Sequence, residues 1–421
     1  MSDLGLQRID LFAPPFRGHL HPILAMGREL KAAGYSVCVF STASAQADIE
    51  SSGLEAFIFS GIDDSALLRV VNPSGQIGRS PRKLKQQFEA VLVFFRLLND
   101  ELQSIYQDRH VDLIIADFTL APVVLYANKH HLRCWTSLPS PCVLECKDGP
   151  PAYFGGLQPK KGKHYQLYYY LARKLVQLFK QSLFYLNRKT IKQMGLESVY
   201  REDGSERIYS HEKILCLADP RLEFATQWPK AAEFIGPQLY SPNTAVESLQ
   251  NLTAPSFIQG KRHVLVTLGT HLDWHKQALW QALQSVCPHF DDVVFHFSNG
   301  GAELNKPRST ERCMRYQYIN YKQHINSYDL VLHHGGAGIM YHCLQAGIPA
   351  IIYPVDYDQF DHAARLAFYG YGLWLKDLKN LKAVLEEALK KESVSQPALH
   401  LSSLPTLLEL IQKVKGEPES P

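Results

Sequence analysis

Two short stretches of the sequence combine residue types that could do chemistry. His333-His334-Gly335-Gly336-Ala337-Gly338 follows an apolar run and opens a segment of helical periodicity. Glycines at a helix N-terminus expose backbone N–H groups to the helix dipole, and their missing Cβ atoms let a phosphate approach closely. A histidine beside them can add a hydrogen bond or a positive charge to a pyrophosphate. A tight strand-to-helix turn with packing glycines would produce the same pattern. Pro354-Val355-Asp356-Tyr357-Asp358-Gln359 closes the next apolar run. A carboxylate beside an amide suits sugar hydroxyls, because the first accepts and the second both accepts and donates. The plainer alternative is an N-cap, with Asp356 or Asp358 opening the helix that follows.

The N-terminal half supplies a third group. Gly18-His19-Leu20-His21-Pro22 follows the first apolar run. Histidine is the side chain most readily poised as a base near neutral pH, although taken alone a helix-start histidine without chemistry is the plainer reading. Asp117 ends the run Val111–Asp117. An aspartate there can orient and charge-balance an imidazole, or simply cap a turn. The first loop is not G-x-G-x-x-G, which argues against a nicotinamide or flavin dehydrogenase. His271 and His275 could share a metal, yet no third ligand accompanies them, and an exposed helix start explains the pair. His130-His131 reads as the end of a surface helix.

Loops this far apart in sequence need a scaffold that gathers them. RIDLFAPP, a helical HPILAMGRELKAAG closed by Gly34, and YSVCVFST open the chain as strand, helix, strand. Strand signatures recur at 111–118 and 213–219, and the pattern restarts with RHVLVTLGT at 262–270. A helix through KQALWQALQSV follows, then strands at 291–299, 329–336 and 349–355. Strands alternating with helices imply parallel sheets wound by right-handed crossovers, and the restart implies two such α/β domains. Ligands then bind beyond the carboxyl ends of strands, so the informative loops follow residues 12, 117, 268, 297, 333 and 354.

Composition narrows the classes further. At 421 residues the chain exceeds one ordinary core, and 46% hydrophobic with 20% charged residues is a soluble globular balance. A net charge of +3 gives no case for nucleic acid. Eight scattered cysteines without a C-x-x-C pair read as reduced thiols. With no secretion leader and no apolar run of about 18 residues, a cytoplasmic protein is expected.

Residues 333–372 resemble the donor-binding signature of the UDP-glycosyltransferase family, the family 1 glycosyltransferases of GT-B fold, in its bacterial natural-product branch. That signature reads roughly H-G-G-x-G-T-x-x-E-A-x-x-x-G-x-P, then P-x-x-x-D-Q-x-x-N-A. Here it stands as His334-Gly335-Gly336-Ala337-Gly338, Gly347-Ile348-Pro349, Pro354, Asp358-Gln359 and Ala363. Gly18-His19-x-x-Pro22 resembles the family's first-loop motif, and the likeness runs from residue 8 to the final helix near 404–416. It implies a GT-B fold of two tandem Rossmann-like domains with a cleft between them. Residues 1–233 would bind the acceptor, 234–245 (FIGPQLYSPNTA) would link, and 246–395 would bind the nucleotide-sugar, with 396–421 returning as a helix toward the N-terminal domain.

The resemblance also implies roles. His19 would deprotonate an acceptor hydroxyl, with Asp117 holding its ring. Gly18, Gly269 and Thr270 would line the phosphate side, and Tyr318 would stack on the base. His334, Gly335, Gly336, Ala337 and Gly338 would seat the pyrophosphate, and Asp358 with Gln359 would hold sugar hydroxyls. Transfer would invert the anomeric centre without cofactor or metal. His342 replaces the family's ribose-reading Glu, Ile339 its Thr and His362 its Asn, while Asn320 and Tyr321 replace Pro and Gln. Without that carboxylate the substrate is a UDP- or dTDP-sugar, glucose-like by the Asp-Gln pair. A nucleotide-sugar 2-epimerase on the same fold, or a catalytically silent partner of a transferase, are the alternatives.

From Lys160 to Leu196 the chain carries nine Lys or Arg and no acid, with apolar residues at 167, 171, 175, 178, 183 and 186. That is either a helical hairpin with a solvated basic face or a peripheral membrane contact across 160–192, on the inner face. The expected acceptor is a hydrophobic small molecule or lipid bearing a hydroxyl, and no nucleic acid partner is expected.

Overall fold

The computed structural model describes residues 7–65, 67, 81–240, 254–270, 272–301, 310–390, 399 and 403–416. Its strands are β1 Arg8–Phe12, β2 Ser36–Ser41, β3 Glu55–Ile58, β4 Leu113–Asp117, β5 Cys134–Leu138, β6 Lys213–Cys216, β7 Ala232–Phe234, β8 Arg262–Thr267, β9 Val293–Ser298, β10 Cys313–Tyr316, β11 Leu330–His333, β12 Ala350–Ile352 and β13 Gly372–Trp374. Helices of nine residues or more are α1 Arg17–Ala32, α2 Pro81–Ile105, α3 Ala121–Lys129, α4 Lys163–Leu186, α5 Asp273–Val286, α6 Ala337–Ala346, α7 Gln359–Phe368, α8 Leu381–Lys390 and α9 Leu407–Gly416.

Two wholly parallel sheets result. The first has seven strands in the order β3-β2-β1-β4-β5-β6-β7, the second six in the order β10-β9-β8-β11-β12-β13. β1 shows why its apolar run is continuous: Ile9, Leu11 and Phe12 are fully buried, so both faces of the strand lie in core. Asp10 is the exception, and its buried carboxylate is paired. Arg109 donates Nε and Nη2 to its two oxygens at 2.7 Å each, and Tyr106 donates at 3.1 Å.

Strand order reverses between β1 and β4 in the first sheet and between β8 and β11 in the second. At such a switch point the flanking loops diverge to opposite faces and leave a crevice at the strands' carboxyl ends. The carboxyl ends of β1, β4, β8 and β11 lead into or carry His19, in the first turn of α1, Asp117, the last residue of β4, and the loop residues Gly269 and His334. Topology alone therefore gathers them.

The first sheet runs slightly further than 233, since Phe234 ends β7 and the Ile235 N–H donates to the Cys216 carbonyl at 3.1 Å. Residues 241–245 of the expected linker lie outside the described residues. α9 places Leu407, Leu410 and Ile411 in one core with Ile23, Leu24 and Leu30 of α1, so the end of the chain packs on the first domain.

The domains also meet through specific bonds. Arg365 on α7 donates Nε to Glu223 at 2.8 Å, with both side chains buried. The Asp219 N–H donates to the Tyr341 hydroxyl at 2.9 Å, and the Tyr153 N–H donates to the Asp361 carboxylate at 3.0 Å. Breaking a buried ion pair costs roughly 3–5 kcal/mol. These contacts hold α7, and hence Asp358, against the first domain.

Candidate active site

α1 begins at Arg17, immediately after the β1 loop, so His19 lies in its first turn. Pro22, inside the helix, has no N–H to bond back to the Gly18 carbonyl, which keeps this turn open. Gly18 is exposed, and a Cβ there would meet nothing within 4 Å, so its surface faces open space. His19 Nδ1 stands 3.1 Å from each oxygen of Asp117, the last residue of β4. Asp117 is fully buried and also accepts the Thr119 backbone N–H at 3.0 Å and the Thr119 hydroxyl. With Nδ1–H donated to the carboxylate, the lone pair of His19 resides on Nε2. Burial pulls the imidazole pKa down, but the charge and hydrogen bond of Asp117, with a smaller push from Asp358, raise it above its ordinary value. Asp358 belongs to the other domain, so its charge is felt across the cleft.

In the second domain, the glycine loop is held by two histidines. His333 Nδ1 accepts the Gly335 N–H at 3.0 Å, and His362 on α7 donates Nδ1–H to the Gly335 carbonyl at 2.6 Å. His333 is fully buried, and burial first, then His334 and His362, pushes its pKa down to about 3, so it is neutral as an acceptor must be. Gly335 adopts φ +92, and a Cβ there would sit 3.0 Å from the Gln359 carbonyl. Only glycine fits.

His334 is half-buried, and its ring fills the space that two glycines vacate. A Cβ on Gly269 would lie 2.8 Å from its Cε1, and one on Gly336 2.5 Å from its Nε2. Gly300 backs this arrangement: with φ +73, its Cβ would collide with the Gly269 carbonyl oxygen. The Gly269 N–H donates to Thr267 Oγ1 at 3.1 Å, and that hydroxyl meets the Tyr321 hydroxyl at 2.9 Å. Thr270 follows, half-buried at the same loop. Ala337 and Gly338 open α6, and Gly338 is exposed with no neighbour within 4 Å of a would-be Cβ.

The Asp-Tyr-Asp-Gln stretch divides its tasks. Asp358 occupies the N-cap position of α7, yet its side chain makes no capping hydrogen bond. Asp356 instead accepts the Tyr357 N–H at 2.9 Å. Gln359 is buried, and its Oε1 accepts the Val355 and Asp356 N–H groups at 2.9 and 3.1 Å. Its carbonyl end is therefore engaged by the loop, and only the amide NH₂ end remains to meet a hydroxyl.

Tyr318 has Arg17 over its ring, the guanidinium carbon 4.6 Å from the centroid. His342 on α6 is half-buried beside Tyr321, 6.1 Å between ring centroids. Burial and then Lys322 lower its pKa to about 4. His21 is lowered to about 3 by burial, Arg17 and His342. Arg17 and Lys322 thus bring positive charge to the spot where a ribose-reading acid was expected, and hold the neighbouring His21 and His342 neutral.

Arg17, His21, Gly300 and Gly301 did not stand out in the sequence. The glycine pair was the available signal, since it follows β9 at a strand's carboxyl end. His275 is not an exposed helix start: it is half-buried, with Nε2 2.6 Å from the Tyr353 hydroxyl. His271 lies outside the described residues. His130 and His131 are exposed at the end of α3.

A narrow pocket lies in the first domain. Cys142, Val143, Tyr153, Val176 and Trp228 give it apolar walls, and Arg365 reaches it from the second domain. Asp358 acts electrostatically on Cys142 and Tyr153 as it does on His19, which places pocket and cleft side by side.

Residues 283–409 match the family described as erythromycin biosynthesis protein CIII-like, C-terminal domain. The whole chain is similar to the NDP-glycosyltransferase YjiC of Bacillus licheniformis, at 22% identity over 92% of this chain and 90% of that one. Among solved structures, the glycotransferase of kitacinnamycin superposes with a TM-score of 0.68 at 18% identity, covering 98% of this chain and 96% of that chain. The glycosyltransferase SsfS6 of Streptomyces sp. SF2575, complexed with thymidine diphosphate, superposes with a TM-score of 0.64 at 17% identity, covering 98% and 100%. Both likenesses span the two sheets and the cleft between them.

Proposed function

We propose that this chain, a glycosyltransferase of the GT-B fold related to the family 1 enzymes, moves a glucose-like hexose from a nucleotide-diphospho-sugar to a hydroxyl of a hydrophobic small molecule or lipid, with inversion. The observation that carries this reading is the His19–Asp117 pair, 3.1 Å apart at the switch point of the first sheet.

The acceptor hydroxyl gives its proton to His19 Nε2 as its oxygen attacks the anomeric carbon. The bond from that carbon to the diphosphate oxygen breaks, and the nucleoside diphosphate leaves from the opposite face. Asp117 stabilises the imidazolium that forms and holds the ring in the productive tautomer. Base assistance of this kind contributes on the order of 10²–10⁴-fold.

The leaving diphosphate is received by the N-terminus of α6, at Gly336, Ala337 and Gly338, with His334 and the Gly269–Thr270 loop beside it. Asp358 and the amide NH₂ of Gln359 hold sugar hydroxyls. Tyr318 and His342 meet the base and ribose. Because His342 offers no carboxylate to a ribose diol, uridine and thymidine diphosphate sugars are both admitted, in keeping with the thymidine diphosphate bound by SsfS6. The acceptor approaches along the pocket beside Tyr153, where Val143, Val176 and Trp228 offer a hydrophobic molecule apolar contact.

The test is a panel of UDP- and dTDP-hexoses with phenolic, polyketide and lipid alcohols, read by mass spectrometry. Products heavier by one hexose residue are expected. Donor conversion without any acceptor product would point to epimerisation and contradict transfer.

A further inference from the structure

We propose that the outward face of α4 docks on an anionic lipid bilayer. An ordinary surface helix turns its apolar stripe toward the core. α4 does the reverse along much of its length. Leu167, Leu171, Leu175, Leu178, Tyr185 and Leu186 are 56–79% exposed, while Tyr169 and Ala172 on the opposite side are buried. The spacing of 167, 171, 175, 178 and 185 puts them on one face. Contiguous exposed apolar area of this kind marks a contact surface.

The charge around the stripe chooses the partner. Lys161, Lys163, Lys174, Arg188, Lys189 and Lys192 are all exposed, and no acid occurs between 160 and 196. Lys174 lies 5.7 Å from the Tyr170 ring centroid and Arg188 4.6 Å from that of Tyr185, so cations flank interfacial aromatics. Apolar side chains framed by lysine and arginine complement an anionic membrane surface. A second copy is a poorer occupant, because a two-fold contact would set this uniformly positive face against itself. Among the described residues no helix is long and apolar enough to cross a membrane, so the contact is peripheral.

The opposite face of α4 gives the contact a purpose. Arg173, Val176 and Lys180 line the pocket beside the cleft. One face of the helix thus meets the bilayer and the other lines the pocket proposed for the acceptor, which suits a hydroxyl borne by a lipid. That last step rests on the acceptor reading above; the docking itself does not.

Co-sedimentation with vesicles tests it without any transfer assay. Wild type is expected to pellet with phosphatidylcholine vesicles containing one quarter phosphatidylglycerol, and not with phosphatidylcholine alone. Lys161→Gln/Lys163→Gln/Lys174→Gln should weaken partitioning roughly 100-fold, at about five-fold per cation removed. Leu171→Glu/Leu175→Glu/Leu178→Glu should abolish it while the melting temperature and the far-UV spectrum stay those of the wild type. Equal pelleting of both variants with wild type, or no wild-type pelleting at all, overturns the proposal. So does a wild-type dimer that the Leu→Glu variant dissociates. If docking holds but vesicle-borne alcohols are never glycosylated while soluble ones are, the lipid-acceptor reading fails alone.

Discussion

The guanidinium of Arg17 lies over the ring of Tyr318, 4.6 Å from its centroid, and so joins the start of α1 in one domain to the proposed donor side of the other. Its Nη1 is buried and has no hydrogen-bond partner among the described residues. A buried charged donor of this kind is costly unless an acceptor arrives, and a nucleotide supplies one. Arg17→Ala is therefore expected to raise the donor KM about 10–100-fold, the equivalent of a charged hydrogen bond of about 1.5–3 kcal/mol, with kcat little changed. Steady-state kinetics with varied donor check this. An unchanged KM would mean that Arg17 only ties the domains together.

The Asp117 carboxylate gives the reaction a pH signature. It raises the pKa of His19, so the free base predominates only above the ordinary imidazole range. The acidic limb of kcat/KM should accordingly lie above about pH 6.5. Asp117→Asn removes the charge that favours the imidazolium. The limb should move to lower pH, and the plateau should fall by about 10²–10⁴-fold as tautomer control is lost. A limb that stays in place would assign it to another group.

His362 makes a structural prediction distinct from catalysis. It donates to the Gly335 carbonyl at 2.6 Å, while His333 accepts the N–H of the same residue. His362→Ala leaves that acceptor without its partner, at a cost of about 1–3 kcal/mol, and should lower the melting temperature and weaken donor binding together. His362→Asn, which restores the family's residue, should retain more of both. Differential scanning calorimetry with and without nucleoside diphosphate separates the variants.

Much of this was legible in the sequence, and the remainder has identifiable causes. Alternating apolar runs disclosed two parallel sheets, because central strands such as β1 are buried on both faces. Gly335 declared itself through its neighbours, since only glycine adopts its φ so close to Gln359. The pairing of His19 with Asp117, 98 positions apart, follows from strand order, which the resemblance supplied and periodicity alone did not. Periodicity found the stripe on α4 but could not say which way it faces, because that depends on what the opposite side packs against. Arg17 gives no signal for a similar reason, as its partner Tyr318 lies in the other domain. Capping is the plainer reading of Asp358 taken alone; the residue does sit at the N-cap of α7, but its side chain caps nothing. Gln359 keeps only its amide NH₂ for a sugar hydroxyl, because its oxygen serves the loop, a division that the sequence does not disclose.

The most direct measurement is the transfer rate of His19→Ala against wild type on one acceptor, with donor affinity determined separately by calorimetry. The expected result is a loss of about 10²–10⁴-fold in kcat/KM at unchanged donor affinity. Turnover equal to wild type would contradict His19 as the base and, with it, the proposed mechanism.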